Sequence, residues 1–252
     1  MTEAPLANPV EEAGRIARSA RQAGIPLRLM GGVAVALRCP SARTAPLARR
    51  YGDIDVATHA SHRQSVERLL GSLGYTPNAE VNLLFGRERL IFFDPRNRRN
   101  LDVLIGKLRM CHTIPFANAF ETDHDTLTLD CLLLTKLQIV ETTEKDYRDI
   151  AAILVDHPFG SGDAEAIDTV RLAALCAEDW GLWRTVMDVA ARVVPMAAHL
   201  GPLPGSYALE AQVASLLAGL EAAPKTMRWK TRALIGRRLQ WYELPDQGEK
   251  TA

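Results

Sequence analysis

A mixed α/β (α+β) half on a small mixed sheet, followed by an all-α half, is the fold class predicted by three features of the sequence. From about residue 27 to residue 105, short extended runs alternate with amphipathic helical runs, giving strand, helix, strand, helix, strand, strand. The runs "RERLIFF" and "RNLDVLIG" flank the turn "DPRN", which makes them a hairpin and adds an antiparallel pair. From about Thr126 extended runs cease, and the long apolar segments repeat at helical spacing. A boundary near residue 125 therefore separates a domain of residues 1–125 from a helical domain of residues 126–252. A chain of 252 residues suits one large domain or two modest ones, and 47% apolar residues supply a real core.

The elements follow in order. Val10, Ala13, Ile16, Ala17 and Ala20 line one face of a helix that begins at Pro9 and stops at Gly24 and Pro26. "PLRLM" reads as a short strand ending at Gly31-Gly32, and "VAVALR" as a buried helix. Residues 39–50 carry two prolines and Arg43, Arg49 and Arg50, and read as a loop. In "YGDIDVAT", Ile54 and Val56 alternate against Asp53 and Asp55, as on a strand. Val66, Leu69, Leu70 and Leu73 form the stripe of the next helix, which Gly74 ends. The hairpin follows, with Asp102 set among Leu101, Val103, Leu104 and Ile105. In the second half, "LTLDCLLLTKLQIVETTEKDYRDIAAILV" reads as two helices joined near Thr142 and Thr143. After the break "DHPFGSGD" come "AEAIDTVRLAALCAE", "WGLWRTVMDVAARVV" and "SYALEAQVASLLAGLEAA", the last two separated by "GPLPG". A basic closing stretch reads as helix up to Pro245.

Composition removes several classes. Acidic and basic residues balance at 30 each, so no global charge draws the chain to nucleic acid or membrane. No window approaches the ~18 uninterrupted apolar residues of a membrane span. The N-terminal "MTEAPLANPVEEAG" lacks the basic start and apolar run of a signal peptide. Cys39, Cys111, Cys131 and Cys176 show no CxxC or zinc spacing, which suggests reduced thiols in a cytoplasmic protein.

The chemistry concentrates in two aspartates and a glycine pair. On a strand, side chains two residues apart point to one face, so Asp53 and Asp55 aim at one point despite their repulsion. If Asp102 on a neighbouring strand shares that orientation, three hard oxygen donors converge, a set suited to two magnesium ions about 3.5–4 Å apart. Gly31 and Gly32, lacking a Cβ, let a triphosphate approach the backbone at a helix N-terminus. Taken singly, a GG between strand and helix is a tight turn and a DxD is a solvated strand edge. Their order, with a third aspartate on a later strand, favours a functional site.

The segments "MGGVAVAL", "YGDID" and "LDVLI" resemble the nucleotidyltransferase superfamily with the DNA polymerase β-type catalytic fold, over roughly residues 10–155. "LLLTKLQIVETTEKDYRDIAAIL" is similar to the helical segment of its AbiEii-like branch, which includes toxins of toxin–antitoxin pairs. The resemblance implies transfer of an NMP from an NTP to an acceptor hydroxyl, on a tRNA, a protein or a small molecule. Gly31 and Gly32 would hold the triphosphate, and Asp53, Asp55 and Asp102 would be the catalytic ligands of two Mg²⁺ ions, or of Mn²⁺. Asp102 would also help deprotonate the acceptor. Lys136 would contact the phosphates and Asp149 would join the same pocket. The branch further implies a cognate antitoxin as partner. Valine after the second glycine, where the family often has serine or threonine, and a longer span from Gly32 to Asp53 put nucleotide choice in question. The other reading is a non-catalytic nucleotide-binding or partner-binding protein that keeps the fold.

Other residues have two readings each. Lys136 in an apolar run also reads as a lysine reaching out from a helix edge. Asp146 reads as pairing with Lys145 or Arg148 on a solvated face, and Asp149 has the same alternative. Arg43, Arg49 and Arg50 bind triphosphate or acceptor, or solubilise a loop; Arg49 is placed with the nucleotide set. Arg96, Arg98 and Arg99 read as turn solvation. His59 and His62 lack a third ligand for zinc. Lys225, Arg228, Lys230, Arg232, Arg237 and Arg238 with Trp229 and Trp241 read as a charged helix closing a bundle, or as an RNA-binding surface. Trp180 and Trp183 read as helix packing.

Overall fold

A computed structural model describes residues 4–244. It has α1 (Pro9–Gln22), β1 (Leu27–Met30), α2 (Gly31–Arg38), β2 (Ile54–Thr58), α3 (Arg63–Ser72), β3 (Thr76–Pro77), α4 (Ala79–Phe85), β4 (Arg89–Asp94), β5 (Arg99–Ile105), β6 (Lys107–Arg109) and β7 (Thr113–Pro115). The helices α5 (Leu129–Leu137), α6 (Glu144–Asp156), α7 (Thr169–Glu178), α8 (Trp180–Ala197), α9 (Leu209–Ala222) and α10 (Met227–Ile235) complete it. The predicted class holds: a mixed five-stranded sheet in the first half, helices in the second. No helix among the described residues is long and apolar enough to cross a membrane.

The sheet runs β1-β2-β5-β4-β3. Only β2 and β5 are parallel; the other neighbours are antiparallel. Period-2 alternation sorts its residues onto two faces. Ile54 and Val56, Leu90 and Phe92, and Leu101, Val103 and Ile105 are buried, on the face shared with α1 and α3. Asp55, Arg89, Ile91, Phe93 and Asp102 occupy the other, more open face. Glu12 of α1 fixes the helical layer: it is fully buried, held by Arg15 at 2.7 and 2.8 Å and by the Tyr75 hydroxyl at 2.8 Å.

The halves are not separated by a gap in the core. Leu29 of β1 donates to the Asp125 carbonyl (2.7 Å) and accepts from the Leu127 amide (3.0 Å), so the chain enters its helical half along the free edge of β1. One apolar cluster then runs from Ile16 and Leu29 through Leu132 and Ile150 to Val186 and Leu216. The two helices predicted on either side of Thr142 and Thr143 are α5 and α6. Thr143 caps α6 in a reciprocal box with Asp146.

Several expectations change. The β6–β7 hairpin and α4, capped by Asn78 on the Val81 amide (3.1 Å), lie where no element was expected. The closing helix ends at Gly236, whose φ of 59° terminates it, well before Pro245, which lies outside the described residues. Arg99 is not a solvated turn residue: it is buried, paired with Asp94 at 2.8 Å and donating to the Leu6 carbonyl.

Candidate active site

The open face of the sheet carries the site. Asp55 of β2 and Asp102 of β5 are direct partners in the parallel register. Partners in register point to the same face, so the two carboxylates are neighbours. Asp53 is not on the strand, as expected, but stands just before Ile54, exposed at the mouth. Burial and then the charges of Asp53 and Asp102 push the Asp55 carboxyl up to about 7, while Lys136 and Arg89 act in the opposite sense. Asp55 therefore stands in the field of both other acids, despite their separation in sequence.

The glycine pair sits against this cluster. Gly31 opens α2 at a φ of +66°, and a Cβ there would stand 2.1 Å from Asp55 Oδ2. Only glycine combines that conformation with that approach. Met30, the residue before it, supplies no side-chain cap to the first turn of α2, so its amides remain available to an anion. A Cβ on Gly32 would fall 2.0 Å from an Arg49 guanidinium nitrogen. Arg49 thus lies across the same turn, its guanidinium 4.4 Å from the Tyr51 ring centre.

Behind the turn is a buried ionic network. Arg49 grips Asp149 through two bonds of 2.8 and 2.7 Å. Lys136 Nζ stands 2.8 Å from Asp149 Oδ2 and 3.2 Å from Asp146 Oδ1. Asp146 also accepts from the Thr143 amide (3.1 Å) and hydroxyl (2.7 Å). Burial opposes each charge, yet the attraction prevails: Lys136 and Arg49 are held above their ordinary values, Asp146 below its own. Lys136 is therefore not reaching out from a helix edge, and neither Asp146 nor Asp149 is on a solvated face.

All eight residues expected at a site, Gly31, Gly32, Arg49, Asp53, Asp55, Asp102, Lys136 and Asp149, fall in this connected region. Sequence reasoning missed Arg89. It projects from β4, and its Nη2 lies 3.1 Å from Asp102 Oδ2. Among the described residues no three His, Cys, Asp or Glu side chains are gathered closely enough to hold an ion as they stand. The donor chemistry of Asp53, Asp55 and Asp102 nonetheless fits a hard divalent cation, which would offset both the burial of Asp55 and the repulsion it meets from Asp53 and Asp102.

The remaining candidates lie outside this region. Arg43, Arg50, Arg96 and Arg98 are exposed. His59 stacks on Phe120 at 4.1 Å. In the closing segment, Arg232 lies 4.7 Å over Trp180, Arg237 lies 5.6 Å over Trp241, and Lys225 lies 5.7 Å over Trp229. Three of the six basic residues of this segment are thus engaged with rings, while Arg228, Lys230 and Arg238 are exposed.

No family model matches the sequence, and no curated protein matches it. Among solved structures, the chain is similar to the lincosamide antibiotic adenylyltransferase LnuA in its lincomycin-bound form, with 18% identity, 59% of this chain and 98% of that chain covered, and a TM-score of 0.42. It is similar to the antibiotic-resistance factor ANT(2'')-Ia, with 14% identity, 76% and 94% coverage and a TM-score of 0.41. It is also similar to an antigenic nucleotidyltransferase-like protein from Paracoccidioides brasiliensis, with 14% identity, 88% and 97% coverage and a TM-score of 0.43. At identities of 14–18%, none of the three transfers a residue's role to this chain.

Proposed function

We propose that the chain is a metal-dependent nucleotidyltransferase that moves an NMP from an NTP to an acceptor hydroxyl, with pyrophosphate as the leaving group. The observation that carries this reading is the placement of Asp55 and Asp102 side by side on the open face, with Gly31 pressed against Asp55. Asp53, Asp55 and Asp102 would hold Mg²⁺ or Mn²⁺, which when bound supplies charge stabilisation for the attacking and leaving oxygens. The amides opening α2 and the Arg49 guanidinium would receive the phosphates. Asp149, itself paired with Lys136, holds Arg49 in place behind the glycine turn. Asp102 would accept the proton of the acceptor hydroxyl. Phosphoryl transfer of this type asks for position and charge rather than a protein nucleophile, and the site offers these.

The acceptor is proposed to be a tRNA end, a protein side chain or a small molecule, the protein acting as a toxin if the AbiEii-like resemblance extends to biology. The second reading, a nucleotide-binding protein without catalysis, is favoured by one observation: Arg89 already engages the third carboxylate. Incubation with each α-labelled NTP, Mg²⁺, total RNA and cell extract separates them. Transfer of label to RNA, protein or a small molecule, lost in Asp102→Asn, is expected. Nucleotide binding without transfer supports the second reading, and neither binding nor transfer overturns both.

A further inference from the structure

Arg89 stands at one end of β4 and pairs in register with Leu104, while Asp102 pairs with Ile91. Arg89 and Asp102 are thus two residues out of step across adjacent strands but on one face, a diagonal that a long side chain spans. Nη2 meets Asp102 Oδ2 at 3.1 Å, with both side chains about a quarter exposed, at 28% and 21%. The same guanidinium acts electrostatically on Asp55. It thereby adds a second positive charge, beside that of Lys136, to the acidic cluster. A carboxylate oxygen held by a guanidinium is screened from a second cation, and two cations near one carboxylate repel.

We propose that Arg89 is the resident counter-cation of the acidic cluster, and that a divalent ion displaces it from Asp102 when the three carboxylates come to act together. This rests on the metal-dependent reading given above. Arg89 offsets part of the cluster's negative charge when no ion is bound, and its displacement couples ion entry to movement of a cationic side chain at the rim of the site. A residue that instead orients Asp102 for the metal has the opposite signature, because its removal weakens ion binding. The sign of the effect decides between them.

The test is calorimetric titration of the full chain with MnCl₂ at low ionic strength, without nucleotide, with bound Mn²⁺ counted by electron paramagnetic resonance. Arg89→Gln is expected to bind Mn²⁺ about tenfold more tightly than the natural chain. Arg89→Lys, which keeps the charge, is expected to stay close to the natural affinity. Asp102→Asn in the Arg89→Gln background is expected to remove the gain. Circular dichroism identifies a variant that has lost its fold, and the Lys variant then carries the comparison: an affinity for Mn²⁺ well above the natural one contradicts a charge-based competition. Equal or weaker binding by a folded Arg89→Gln overturns the proposal while leaving the transferase reading to the labelled-NTP experiment. Absence of Mn²⁺ binding in every chain overturns the metal-dependent reading and this proposal together.

Discussion

Gly31 is the residue whose replacement is most informative. An alanine there meets Asp55 Oδ2 at 2.1 Å and must adopt a φ of +66°, so both the turn and the carboxylate must yield. Gly31→Ala is expected to lower stability by about 1–3 kcal/mol in urea denaturation and to abolish nucleotide binding. Gly32→Ala needs no left-handed backbone but meets the Arg49 guanidinium at 2.0 Å and Tyr51 Cδ1 at 3.0 Å, so its cost in stability is expected to be smaller than that of Gly31→Ala while its displacement of Arg49 lowers nucleotide affinity. Asp149 is the other decisive residue. It is buried and neutralises two cations, so Asp149→Asn leaves Arg49 and Lys136 poorly compensated. The expected loss is about 3–5 kcal/mol, read from the denaturation midpoint. At this scale Asp55 and Asp102 were legible in the sequence, because alternation along a strand assigns a face without any tertiary knowledge. The glycine pair was legible as a strand-to-helix turn, whereas Asp53, placed by the same alternation, lies just before the strand. Arg89 was not legible: alternation places it with Ile91 and Phe93, but only the register of the hairpin sets it beside Asp102.

The elements that build the site are held by local signals of ordinary strength. Thr143 and Asp146 cap α6, and Asp146 also receives Lys136 from α5, so the cap and the ionic network share a side chain. Thr143→Ala is expected to cost about 1 kcal/mol of stability. Because Asp146 serves both the cap and the network, the variant is also expected to weaken NTP binding more than an equally destabilising change at a distant cap such as Asp179 of α8. Affinities measured for both variants at matched stability check this. The pairing of α5 with α6 explains why Asp146, one of the Lys136 partners, was read as a surface residue. Helical periodicity relates positions within one helix, whereas Lys136, Asp146 and Asp149 belong to two helices whose packing no spacing rule encodes. The elements missed entirely, α4, β3 and the β6–β7 hairpin, span seven, two, three and three residues, too short to display a period.

Across the molecule, the sheet and the helical half share one apolar core, and the site lies where α2 meets β1 and β2 and packs in turn on α5 and α6. Loss of packing in the helical half is therefore felt at the ionic network. His112 and His157 report on that half. Burial holds both imidazoles below the ordinary value of 6.5, against the pull of the Glu165 carbonyl in the case of His157. The folded chain therefore takes up these protons at lower pH than the unfolded chain does. Their contribution to stability is complete above about pH 6.5 and declines progressively below it. Urea denaturation at a series of pH values is expected to show that decline, with a shallower slope in His157→Asn.

Nucleotide binding measured by calorimetry, with and without Mg²⁺, tests the central claim most directly, namely that Asp53, Asp55 and Asp102 act as one cation-binding cluster beside the glycine turn. The natural chain is expected to bind at least one of ATP, GTP, CTP and UTP in a Mg²⁺-dependent manner, and the Asp53→Ala, Asp55→Ala double variant to lose that dependence. Equal, Mg²⁺-dependent binding by both chains would contradict the assignment of these carboxylates.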